Sequence, residues 1–181
     1  RADRQGWSWS TLRPHFICGT AIGSPSNPIS TVGAYAAILR ELGEPLRFPA
    51  DEAVWTAAMN VTDVGLLSQA MIWAATEPRC AGEAFNIVNG DTFCWRDVWP
   101  LIAEQFGMEA GGPKPFRIRD FMSDKASVWK TIASRNGLRS IDVNEVADWA
   151  FADVLFAGGW DQTASVVKAH QYGFNGMVDS E

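Results

Sequence analysis

Short extended runs, each followed by a helix-start signal, constrain this chain more than any other feature. The first is Trp7-Ser8-Trp9-Ser10-Thr11-Leu12, with Trp7, Trp9 and Thr11 on one face and Ser8, Ser10 and Leu12 on the other. A period of two marks a strand, and Arg13-Pro14 ends regular pairing because proline has no N–H to donate. Phe16-Ile17-Cys18 continues extended to Gly19, and a loop runs from Thr20 through Ile22 to Asn27. Asn27-Pro28 then starts a helix: asparagine caps it, and proline at the first helical position loses nothing. Val32, Tyr35, Ala36, Leu39 and Leu42 form its apolar stripe, and Gly43 stops it. The pattern recurs. Pro45-Leu46-Arg47-Phe48-Pro49 is extended, and Met59 with Val61 suggests a brief strand. Asp63 caps a helix that turns Val64, Leu67, Met71 and Ala74 inward and stops before Pro78.

Phe85–Val88 is a short buried strand, Asn89-Gly90-Asp91 a turn, and a helix follows to Phe106, with Pro100 unexpectedly inside it. Gly111-Gly112-Pro113-Lys114-Pro115 is expected to be a loop. Val128, Trp129 and Ile132 mark a helix that ends at Gly137. Asp142 and Glu145 have capping-box spacing before Val146, Trp149 and Val154, while Asp148 and Asp153 are expected on a solvated face. Gly158-Gly159 breaks that helix, and a last short one ends near Tyr172-Gly173. The strands are too few for a doubly wound sheet of their own. The expected fold is α/β: a mainly helical lobe carrying the last strands of a parallel sheet built largely in another segment. Residues 1–27 are expected to end a dinucleotide-binding sheet and form its cofactor loop, and residues 28–181 to form the helical lobe with returning strands.

At 181 residues and 47% apolar composition the chain has enough material for a core. No apolar run approaches the length of a membrane span. Net charge is −6 with scattered Lys and Arg, which excludes the clustered cations that a nucleic-acid partner needs. Cys18, Cys80 and Cys94 are odd in number and show no C-x-x-C, which fits thiols in a reducing cytoplasm rather than a disulfide framework. His15 and His170 have no neighbouring ligand residues, so a metal site is not expected. Each of the nine tryptophans is first a core candidate.

Motifs for chemistry are sparse. There is no G-x-G-x-x-G, no phosphate loop and no G-x-S-x-G. A Y-x-x-x-K pair, in which the lysine would lower the tyrosine pKa, is also absent: Leu39 lies four residues after Tyr35, and Gly176 four after Tyr172. Tyr35 is therefore expected in the core, Asp63 as a cap, and no catalytic residue is assigned.

Several longer segments together carry a resemblance: Leu12-Arg13-Pro14, Tyr35-Ala36-Ala37-Ile38, Pro45–Pro49, Ile72-Trp73-Ala74-Ala75, Ala84-Phe85-Asn86 with Asn89-Gly90-Asp91, Trp95 with Trp99, Ala103-Glu104-Gln105-Phe106-Gly107, and Trp149 with Phe151-Ala152-Asp153. In this order and spacing the chain resembles the progesterone 5β-reductase/iridoid synthase-like reductases, a branch of the extended short-chain dehydrogenases/reductases. The resemblance implies that the chain is the C-terminal half of a Rossmann-type enzyme. It further implies NADPH as cofactor and 1,4-reduction of an enone, with the family's Tyr and Lys lying upstream of Arg1. By family position Pro14, Ile17, Ser24, Pro25 and Ser26 would face the cofactor, and Phe151 with Trp149 would border the substrate. Ala150 and Val154 stand where the family commonly has aromatics, which implies a wider pocket.

The implied partner is a small apolar carbonyl compound; no nucleic acid and no membrane is expected, and a homodimer is compatible with the resemblance. Two other readings remain open at this stage. One is a sugar-nucleotide epimerase or dehydratase of the same superfamily, for which Arg117 and Arg119 would meet the pyrophosphate. The other is a non-catalytic binding module without a cofactor half. By itself the chain is expected to be inactive.

Overall fold

A computed structural model describes residues 6–21 and 23–180. The opening Arg1-Ala2-Asp3-Arg4 and Ile22 of the expected cofactor loop lie outside the described residues. In chain order the elements are β1 (Ser10–Pro14), β2 (Ile17–Cys18), α1 (Pro28–Glu41), β3 (Leu46–Phe48), α2 (Glu52–Thr56), β4 (Ala58–Met59), β5 (Thr62–Asp63), α3 (Val64–Thr76) and β6 (Glu83–Ile87). They continue as β7 (Phe93–Cys94), α4 (Trp95–Gln105), β8 (Ala110–Pro113), α5 (Ile118–Met122), α6 (Ala126–Arg135), α7 (Trp149–Leu155) and α8 (Val167–Gln171). These elements gather into two compact units. One comprises Arg1–Thr20, Met59–Thr92 and Thr163–Glu181, the other Ala21–Ala58 and Phe93–Gln162. The chain passes from the first unit to the second between residues 20 and 21 and returns to each unit later.

In the first unit β1 pairs in parallel with β6, from Ser10 opposite Glu83 to Pro14 opposite Ile87, and β2 pairs in parallel with β5. The alternation expected of β1 is present, but the tryptophan face points outward: Trp7 and Trp9 are 56% and 48% exposed. Leu12 packs instead against the cluster of Leu66, Leu67, Ala70, Phe85 and Ile87. Asp63 caps α3 as expected, its carboxylate accepting the Leu66 N–H at 2.9 Å. The helix phase differs from the sequence expectation. Leu66, Leu67, Ala70 and Ala74 point inward, whereas Val64 and Met71 are exposed. Period two or 3.6 defines a stripe, but the neighbouring element selects which stripe is covered. Helix α8 closes this core, with the Tyr172 ring edge-on to Phe85 and the Phe174 ring tilted against Trp73, both at 5.2 Å between ring centroids.

The second unit is built around α1 and an aromatic hub. Asn27 caps α1 through the Ile29 N–H, and Gly43 takes the left-handed φ of +69° that ends the helix. The glycine-rich run expected as a loop is strand β8, paired in parallel with β3. Gly111 explains why: a Cβ there would sit 3.0 Å from the Arg47 Cα, so glycine lets the two backbones approach without displacing either. Arg47 faces Gly111 and Phe48 faces Pro113, which leaves Gly112 as the extra residue of a bulge. Phe48 is fully buried between Trp55, Trp95, Trp99 and Phe156, at centroid distances of 4.8–6.0 Å. The Trp99 indole N–H donates to the Leu46 carbonyl at 2.9 Å. Tyr35 is core, as expected, and donates its hydroxyl to the Arg47 carbonyl at 2.9 Å.

Pro100 does lie inside α4. Both it and Arg96, whose carbonyl loses its helical donor, are exposed, so water can satisfy the freed oxygen. The expected capping box resolves differently. Asp142 caps only a single 3₁₀ turn, Val143–Glu145, and α7 is capped by Asp148.

Candidate functional site

The residues expected to meet a cofactor fall into two sets. Pro14 and Ile17 lie in the first unit, where β1 passes into β2. Ile17 is 41% exposed. This turn is fastened by Thr62, which is fully buried. Its hydroxyl accepts the His15 N–H at 3.0 Å and donates to the Ile87 carbonyl at 2.8 Å, while its N–H donates to the Phe16 carbonyl at 2.9 Å. A buried hydroxyl that meets both its donor and acceptor needs holds three backbone segments in register. Asn89 continues the scaffold by accepting the Asp63 N–H at 2.6 Å. Asn60 receives the Ala164 N–H at 2.6 Å and donates to the Asp91 carbonyl. The sequence marked Val61-Thr62-Asp63 and Asn89-Gly90-Asp91 as segment boundaries, but nothing in it distinguished the inward-facing polar side chains from surface ones.

The second set lies in the other unit. Ser24 and Ser26 are exposed and Pro25 is half-buried in the approach to α1. The same unit contains both residues expected to border a substrate. Trp149 is buried at the first position of α7, and Phe151 is half-buried two residues on. Asp148 joins the loop to the helix. Its Oδ1 accepts the Ala150 and Phe151 N–H groups at 2.9 and 3.1 Å, its Oδ2 accepts the Ser26 hydroxyl at 3.2 Å, and its own N–H donates to the Pro25 carbonyl at 3.1 Å. The sequence placed Asp148 on a solvated face. Its capping position before Trp149 was legible, but the Ser26 contact, between residues far apart in sequence, was not.

Helix α7 is also held from its far side. Asp153 accepts the Arg117 Nε at 3.4 Å and the Arg119 N–H at 3.3 Å. Together with Pro49, Phe116, Ile118 and Phe156, Arg117 and Asp153 line a cavity of about 290 Å³. Ala150 and Val154, where family aromatics are commonly found, are both exposed.

Burial, assisted by the nearby Asp63 carboxylate, pushes the Cys18 thiol up to about 11. Burial likewise raises the Tyr35 phenol above its ordinary value, so it remains a hydrogen-bond donor at neutral pH. Neither is a poised acid or nucleophile. Among the described residues, no group of three or more His, Cys, Asp or Glu side chains could hold a metal ion. No helix among them is long and apolar enough to cross a membrane.

Comparison with known proteins agrees with this architecture. Residues 2–175 match the PRISE-like Rossmann-fold domain. A protein named (S)-8-oxocitronellyl enol synthase CYC2, from Camptotheca acuminata, is 38% identical over 182 residues, covering 98% of this chain and 46% of that protein. The 3-oxo-Delta(4,5)-steroid 5-beta-reductase of Arabidopsis thaliana is 37% identical over 176 residues, covering 96% of this chain and 45% of its own length. The chain thus spans about half the length of the curated relatives it matches. The crystal structure of the terminal R domain from the myxalamid PKS-NRPS biosynthetic pathway superposes on 95% of this chain and 40% of that one, with a TM-score of 0.52 at 14% identity. That likeness shows a shared fold. Sequence match and architecture together establish that the chain belongs to the PRISE-like Rossmann-fold domain family.

Proposed function

We propose that the protein is an NADPH-dependent reductase of small apolar enones, in which this chain supplies the substrate lobe and part of the cofactor's surroundings. When bound, the nicotinamide supplies the hydride that adds to the carbon–carbon double bond. The residues of this chain bind and orient. Ser24 makes no hydrogen bond among the described residues and is available to a carboxamide or phosphate oxygen. The Ser26 hydroxyl already donates its hydrogen bond to Asp148, so it offers a ligand only its lone pairs. Trp149 and Phe151 supply apolar surface beside that loop. No acid or base is assigned to this chain, and proton transfer belongs to residues outside it.

The observation that carries this reading is the direct link from Pro25-Ser26 through Asp148 to the backbone of Phe151. It joins the loop that we propose faces the cofactor to the helix that carries the proposed substrate wall, which supports the reading. The relatives named as an enol synthase and a steroid reductase support it further.

The test is incubation of the full-length gene product with NADPH and a panel of linear, cyclic and steroidal enones, with product identification. Formation of saturated carbonyl compounds is expected. Exclusive formation of allylic alcohols, or turnover of nucleotide sugars in place of enones, would refute the reading.

A further inference from the structure

We infer that Asp148 is a positioning residue that transmits the state of the Ser24–Ser26 loop to Phe151, so that cofactor occupancy sets the placement of the substrate-side wall. The inference rests on the cofactor role proposed above for that loop. Its physical basis lies in how one carboxylate is shared. Oδ1 holds the first free N–H groups of α7, those of Ala150 and Phe151, while Oδ2 holds Ser26. A carboxylate is planar and rigid, so a shift of Ser26 that rotates it also disturbs the cap of α7.

The second connection is through the backbone. The Pro25 carbonyl accepts both the Asp148 N–H at 3.1 Å and the hydroxyl of Thr31 at 3.3 Å. Thr31 is buried in the first turn of α1, which makes that side of the junction the fixed one. Movement of the loop is therefore passed toward α7 rather than absorbed by α1. Helix α7 has only seven residues, and a helix that short depends on its cap and its packing for stability. Asp148 touches neither reactant in this account; it acts through Ser26 and Phe151.

Three variants separate the cap from the link. Asp148→Ser keeps a good capping side chain, but its single short hydroxyl cannot hold both α7 and Ser26. Asp148→Asn retains two polar atoms in the carboxylate geometry and should rescue. Asp148→Ala removes both functions and serves as the structural control. The readout is amide hydrogen exchange of the full-length protein, with and without NADP+, followed in peptides covering 24–31 and 149–155.

In the parent protein NADP+ is expected to slow exchange in both peptides, with about two- to fivefold protection in 149–155, the scale of one partly exposed charge-assisted hydrogen bond. In Asp148→Ser the 24–31 protection persists and the 149–155 protection is lost; Asp148→Asn restores it. Equal protection of 149–155 in the parent and in Asp148→Ser overturns the inference while leaving the proposed function intact. Absence of protection in 24–31 of the parent overturns the cofactor role of the loop, and the inference with it.

Discussion

Replacing Tyr35 with phenylalanine tests whether this tyrosine is a structural element or a proton donor. Tyr35 is 1% exposed. Its hydroxyl reaches the Arg47 carbonyl at 2.9 Å, and its ring lies 6.4 Å from that of Trp99. The substitution keeps the ring and its packing and removes only the donor. The cost is a buried hydrogen bond together with partial desolvation of the Arg47 carbonyl, about 1–2 kcal/mol. For a chain of this size that corresponds to a fall in Tm of about 3–6 °C.

The pH dependence has a definite sign. Burial raises the phenol above its ordinary 10.0, so the folded state holds a proton that the unfolded state gives up more readily. The stabilisation is complete below pH 10 and is lost as pH rises beyond it. Thermal melts of the parent and the phenylalanine variant from neutral pH to about pH 11, spanning the ordinary tyrosine range, should therefore converge at the alkaline end. Enone turnover should survive in the variant. An unchanged Tm at neutral pH, or lost turnover without loss of stability, would refute the structural assignment.

Phe151→Ala should change the preference between bulky and small enones with little effect on NADPH affinity, because the ring belongs to the substrate wall while the Asp148 cap uses only the Phe151 backbone; identical selectivity across the enone panel would remove Phe151 from that wall. Gly111→Val should destabilise the protein by about 1–3 kcal/mol in urea titration, since its Cβ must push back the Arg47 backbone. Gly112→Ala, which meets nothing within 4 Å, is the paired control and should change stability far less. Cys18 should resist alkylation at neutral pH, with a rate that climbs toward a midpoint near the raised value of about 11; a midpoint near pH 9, where an ordinary free thiol titrates, contradicts the burial that raises it.

The local elements were legible in the sequence because their causes are local. Asn27-Pro28 starts α1, Asp63 starts α3, and Gly43, Gly107 and Gly137 each end a helix with positive φ. Each signal depends on side chains within a few residues of the backbone groups they satisfy. The family, too, followed from segments that kept their order along the chain. Only the tertiary structure decided which face each element buries. Trp7 and Trp9 point outward because α3 covers the Leu12 side of β1. The glycine run at 111–112 became a strand because β3 was there to pair with it. For the candidate site, the sequence supplied Ser24–Ser26 and Phe151 as separate expectations. The bond from Ser26 to Asp148 spans 122 positions, and no local rule relates residues that far apart. Such a contact arises when packing of the intervening elements brings the two segments together.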